Sequence, residues 1–145
     1  MKNNYYHKIL FAFILNVLFV SISQATDYTV STKADLQTRM TNAVAGDNII
    51  VTNGTYDWGQ IVFNNTKNNS ASAWITLKPQ TLSGVVFTGT TYLQFAGTRI
   101  QVSGFKFNGN SIGTTGLIQF RSSSTKLANY CRLTDITLKI KSQRV

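Results

Sequence analysis

The chain has 145 residues, 43% hydrophobic and only 13% charged, with 14 Lys+Arg against 5 Asp+Glu and a formal net charge of +9. All five acids are Asp, Glu is absent, and His7 and Cys131 are the single histidine and cysteine. A His/Cys zinc site lacks ligands, and a Ser-His-Asp or Cys-His site lacks its histidine once the N-terminus is removed.

Residues 1–25 read as a secretory signal peptide. Lys2 and Lys8 flank a polar start, Ile9 to Val20 is almost wholly apolar, and Ser23 and Ala25 supply small residues at −3 and −1 of a cut after Ala25. A membrane span needs about 20 apolar residues, and this run is nearer a dozen, so stable insertion after cleavage is not expected. Cleavage would leave 120 residues with 12 basic and 5 acidic side chains, a charge of +7, and no histidine. A lone cysteine in an exported chain cannot close an internal disulfide, and Cys131 reads as a small buried hydrophobe.

Residues 26–46 read as a short extended piece and a capping helix. Ser31 or Thr32 is the N-cap, and Asp35 sits in the first turn, where the helix dipole favours an acid. Leu36, Met40, Ala43 and Val44 give one apolar face, and Gly46 stops the helix.

From residue 47 to 138 the pattern becomes a series of short β-rich runs separated by Gly, Asn, Ser and Thr. The runs are Ile49–Val51, Ile61–Phe63, Trp74–Leu77, Val85–Phe87, Tyr92–Phe95, Ile100–Val102, Phe105–Phe107, Leu117–Phe120 and Cys131–Leu138. They repeat loosely. Val85-Val86-Phe87 recurs 20 residues on as Phe105-Lys106-Phe107, Leu93-Gln94-Phe95 recurs 25 on as Ile118-Gln119-Phe120, and Val102-Ser103 recurs 31 on as Leu133-Thr134. Drifting spacings suit coils with fixed strands and variable loops, as in a parallel β-helix whose open first end a helix covers. A sandwich would use tight hairpins, for which Asn53-Gly54 and Asn108-Gly109 are candidates, and it is the less favoured architecture.

Gly46-Asp47 leading into Ile49-Ile50-Val51 and then Gly54-Thr55-Tyr56 resembles the opening of the pectin-lyase-like β-helix proteins. The continuation through Trp74–Lys78, Gly84–Gly89, Val102–Phe107, Ile118–Arg121 and Asn129–Thr134 resembles the N-terminal coils of polysaccharide lyase family 6, the alginate lyases and chondroitinase B. The resemblance covers Tyr28 to about Thr137. It implies an all-β, right-handed single-stranded parallel β-helix with an N-terminal capping helix. It also implies a parent activity, cleavage of acidic uronate glycans (alginate, or chondroitin/dermatan sulfate) by β-elimination. In that family Ca2+ neutralises the uronate carboxylate, a Lys takes the C5 proton and an Arg assists the leaving oxygen. Those groups come from later coils, and without Glu the family's Glu calcium ligands are missing. No catalytic or metal-binding residue carries over, and Ca2+ is expected only for the full-length enzyme. Residues 139–145, with Lys139, Lys141 and Arg144, read as an atypical basic tail left by a truncation or frameshift.

The expected partner is an acidic polysaccharide, with Arg121, Arg132 and Trp58 as candidate contacts. Arg99, Lys106 and Lys126 could extend a basic track, against the plainer reading of scattered solvated charge. Tyr56, Trp58 and Trp74 are candidates for stacking on sugar rings, but Trp74 opens a strand and reads as core. Asp47 and Asp57 as a glycosidase pair would need about 5–10 Å between carboxyls. Asp47 reads better as part of the helix-to-strand turn. The sequons at Asn53, Asn64 and Asn68 suit exposed loops. Nucleic acid is not expected, because an exported chain without a basic aromatic motif gives no footprint for it. The alternative function is a small non-catalytic β-helix module for carbohydrate binding or adhesion.

Overall fold

The computed structural model describes residues 25–68, 72–109 and 116–139. The signal-like segment up to residue 24 and the tail beyond Lys139 lie outside the described residues.

The chain opens with β1 (Asp27–Val30) and the helix α1 (Lys33–Asn42), then winds through β2 (Asn48–Val51), β3 (Gly54–Tyr56) and β4 (Gln60–Asn65). The next turn is β5 (Ile75–Pro79), β6 (Val85–Phe87) and β7 (Tyr92–Thr98). A third is β8 (Ile100–Ser103), β9 (Lys106–Asn108) and the short β10 (Ile118–Gln119) and β11 (Ala128–Asn129), followed by β12 (Arg132–Thr134) and β13 (Thr137–Lys139). Three sheets result. The first is ordered β1-β2-β5-β8-β12, the second is β3-β6-β9-β13, and in the third β7 pairs with β4 on one side and with β10 and β11 on the other.

All pairings between these strands are parallel, which excludes the hairpin-built sandwich. The fold is a parallel β-helix. The registers match the repeats in the sequence: Val86 faces Lys106, Leu93 faces Ile118, and Val102 faces Leu133. The run Cys131–Leu138 is two strands rather than one, because Asp135 turns the corner between sheets at φ +54°. Ser83 and Gly104 also adopt left-handed backbone, and Ser83 N–H donates to Gly104 O.

Alternation within each strand sends one side chain in two into the core. Ile49, Leu77 and Val102 stack inside the first sheet, and Ile61 with Leu93 and Phe63 with Phe95 stack inside the third. Phe87 lies 5.3 Å from the rings of both Phe105 and Phe107. Burying a side chain of this size stabilises the fold by about 1.5–3 kcal/mol. At Gly97 (φ +121°) the coils approach so closely that a Cβ would meet the Asn65 carbonyl oxygen.

The helix closes the first coil. Thr32 is its N-cap, accepting from Asp35 N–H at 3.1 Å, and Leu36 and Met40 are fully buried. It ends at Asn42, two residues short of the end of the expected face, since Ala43 is already extended and Val44 is 46% exposed. Asp47 explains this early stop. Its carboxylate accepts from Val44 N–H at 2.9 Å and from Thr26 N–H at 3.2 Å, tying the helix exit to the first strand.

Two side-chain amides join the cap to the first coil. Gln37 donates to Val62 O and accepts from Val62 N–H, both at 2.9 Å, so it supplies β4 with the strand partner that its outer edge otherwise lacks. Buried Asn65 donates to the carbonyls of Met40 and Ala43 at 2.8 and 2.9 Å, satisfying groups that a helix end leaves unpaired.

Candidate functional site

The outer faces of the coils carry the polar groups. On the third sheet, Gln60 donates to Gln94 and Gln94 to Gln119, each at 2.7 Å, forming an amide row along the stack. On the first sheet, Asp27, Asn48, Thr76, Gln101 and Arg132 occupy one register position in five successive strands.

The corner that leads into the first sheet gathers the most unusual chemistry. Arg132 places its guanidinium 4.5 Å from the Trp74 ring centroid, and Arg99 lies 6.0 Å from the same ring and 5.2 Å from that of Tyr130. Trp74 is therefore not core. Ile75 takes the inward position, so alternation turns Trp74 outward, where it is half-buried beneath the two arginines. Arg132 also donates from Nε to Gln101 Oε1 at 3.0 Å. Arg99 and Tyr130 hold φ of +54° and +53°.

The other candidates lie elsewhere. Trp58 packs 4.3 Å from Tyr56 and 5.8 Å from Phe87, at the corner between the second and third sheets, so its ring is largely committed to the fold. Arg121 is exposed beyond β10 and bridges to Leu127 in the only antiparallel contact among the described residues. It lines a depression of about 280 Å³ with Gln94, Gln119 and Ser122 to Ser124. Lys126 lines a larger hollow of about 490 Å³ with Asn64, Thr66, Thr98 and Asn129. Lys106 stands in β9 of the second sheet. The structure thus brings Arg132 and Arg99 to one Trp74 ring, while Trp58 sits at a different corner and Arg121 beyond β10.

Sequence reasoning missed Trp74, Arg99 and Tyr130 as a group, although offsets of 25 and 31 residues separate them as they separate paired strands. The missing signal was which coil position faces outward at a corner.

The acids are engaged in the framework. Asp35 accepts from the Thr32 hydroxyl at 2.7 Å, and Asn48 donates to Asp27 at 2.7 Å. Asp57 accepts from Thr90 N–H and Oγ1 at 2.9 and 3.0 Å, and these bonds hold its carboxyl below the ordinary value. Among the described residues no three His, Cys, Asp or Glu side chains converge on a point. This donor set does not fit a calcium site. Cys131 is half-buried, with its sulfur 3.6 Å from Gly97 O, and burial raises its pKa. Two sequons do not lie in exposed loops, since Asn64 is half-buried within β4 and Asn68 is buried, whereas Asn53 is exposed in the bend between β2 and β3, where it accepts from Thr81 N–H at 3.1 Å.

A helix-capped, three-sheeted parallel coil is the architecture of the pectin-lyase-like polysaccharide-cleaving proteins. The Chondroitinase B family model matches residues 30–143, and the chain belongs to that family. It is similar to the solved structure of the PL6 family alginate lyase AlyGC, with 31% identity and a TM-score of 0.72. That match covers 77% of this chain and 15% of AlyGC. The PL6 family polysaccharide lyase Pedsa3628 from Pseudopedobacter saltans matches at 27% identity and a TM-score of 0.66, over 77% of this chain and 24% of that one. A mannuronic acid specific family 6 lyase from human gut microbiota shares the fold at 22% identity and a TM-score of 0.69, over 77% of this chain and 26% of that one. No curated protein matches the chain. No helix among the described residues is long and apolar enough to cross a membrane.

Proposed function

We propose that this chain is the cap and first coils of an exported polysaccharide lyase, and that it holds acidic uronate glycan without cleaving it. The observation that carries this reading is the family match over residues 30–143, in a chain with no Glu. Solved relatives named as alginate lyases support a uronate polysaccharide as the ligand class. β-Elimination needs the uronate carboxylate neutralised, a base at C5 and an acid at the leaving oxygen. The basic side chains of this chain could neutralise a carboxylate. The Lys base and Arg acid that the family resemblance implies belong to later coils, and no Lys or Arg of this chain is matched to either role.

Export is supported by the apolar run and small residues before Ala25. The test is incubation of the purified protein with alginate and with chondroitin sulfate. Retention on an alginate matrix without the ultraviolet absorbance of unsaturated uronate is the expected result. Appearance of that absorbance would overturn the non-catalytic assignment, and absence of retention would overturn the ligand class.

A further inference from the structure

We propose that Arg99 and Arg132, braced on Trp74, form an anion subsite for an acidic glycan. The inference rests on the polysaccharide reading above for its ligand class, but its geometry is independent of it. An arginine that stacks on an aromatic face keeps the in-plane edge of its guanidinium free for bidentate contact with an oxyanion. Arg132 commits Nε and one Nη2 hydrogen to Gln101 Oε1, a neutral acceptor, and its remaining N–H groups stay open. Among the described residues neither guanidinium has a carboxylate partner. Two like charges held beside one indole repel each other, and a bound anion relieves that repulsion.

The backbone supplies a second observation. The first coil turns this corner at Gly46, whose φ of +97° suits glycine, and Gly46 N–H donates to Trp74 O. The later coils place Arg99 and Tyr130 in left-handed backbone at the same corner, where glycine or asparagine would be the relaxed choice. Long side chains are held there against backbone preference, with Arg99 5.2 Å from the Tyr130 ring, and Tyr130 is 75% exposed. The result is an outward aromatic shelf carrying two cations. It suits the carboxylate or sulfate ester of a sugar, with the exposed Tyr130 ring available to an apolar sugar face.

The test uses the full chain and three defined probes: an oligouronate, a sulfated oligosaccharide without uronate, and a neutral oligosaccharide of equal length. Binding is followed by calorimetry and by tryptophan emission, to which both half-buried indoles, Trp58 and Trp74, contribute. The variant is Arg99→Asn with Arg132→Gln, since asparagine tolerates the left-handed backbone at 99. Circular dichroism confirms that it folds, and the single Arg132→Gln chain serves if the double variant does not.

The expected result is that an anionic probe binds and shifts the emission, the neutral probe does not, and the variant loses at least tenfold in affinity. Equal affinity in the folded variant would overturn the subsite while leaving the glycan reading intact. Binding of the sulfated probe alone, lost in the variant, would support the subsite and overturn the uronate reading. No binding of either anionic probe would overturn the subsite.

Discussion

The two ends of the coil stack are built differently. At the first end the helix buries Leu36 and Met40, and two side-chain amides replace the hydrogen bonds that a neighbouring strand would make. At the other end the described strands are two or three residues long, Leu138 is 51% exposed and Phe120 is 48% exposed. Side chains at equivalent positions change from fully buried to half-open within one coil: Phe95 is sealed, and Phe120, 4.4 Å from its ring, is not. Among the described residues, a coil with neighbours on both sides is thus the more fully buried, and nearest-neighbour coupling in stacked repeats makes such a coil the more stable.

Substitutions at the two ends break or sharpen this contrast. The largest effect is expected for Phe63→Ala, which empties a fully buried site between the helix-capped coil and the next, and which costs about 3–5 kcal/mol. Leu138→Ala, in the outermost described strand, is expected to lower stability by less than about 1 kcal/mol. Urea unfolding midpoints measure both, and equal losses would refute the graded stack.

A smaller effect tests the amide cap. Gln37→Leu keeps the side-chain bulk but strips both bonds from Val62, with an expected loss of about 1–3 kcal/mol. Because the edge of β4 is then unpaired, concentration-dependent association by light scattering is expected as well. An unchanged midpoint and a monodisperse sample would show that the edge does not need the amide.

The smallest effect concerns Asp57. Its carboxyl is held below the ordinary value by the Thr90 hydrogen bonds, so its contribution is fully present above the unfolded value of about 3.9 and is lost as pH falls through the lower folded value. Asp57→Asn is expected to flatten the fall in stability below about pH 4 and to leave its shape near neutrality unchanged. Thermal melts across that range read it, and parallel acid limbs in the two proteins would remove Asp57 from the linkage.

Much of the fold was legible in the chain because its causes are local. Alternation in Ile49-Ile50-Val51 or Ile61-Val62-Phe63 sets which side chains face in, whatever lies on the other side. Thr32, Asp35, Leu36 and Met40 likewise mark a capped amphipathic helix by spacing alone. The repeat offsets were legible too, since paired strands carry similar residues in register. The errors came where a residue's surroundings decide. Trp74 looked like core because it is large and opens a strand, but Ile75 holds the inward position and leaves it outside.

By itself, then, the sequence determined the coil and the cap, because alternation, capping and repeat spacing can be read along the chain, and its motifs carried the resemblance to the family. Only the tertiary structure decided what each corner presents. Coils of unequal length bring residues 20 to 32 positions apart into register, so the meeting of Trp74, Arg99 and Arg132, or of Gln37 with Val62, depends on how the whole stack winds.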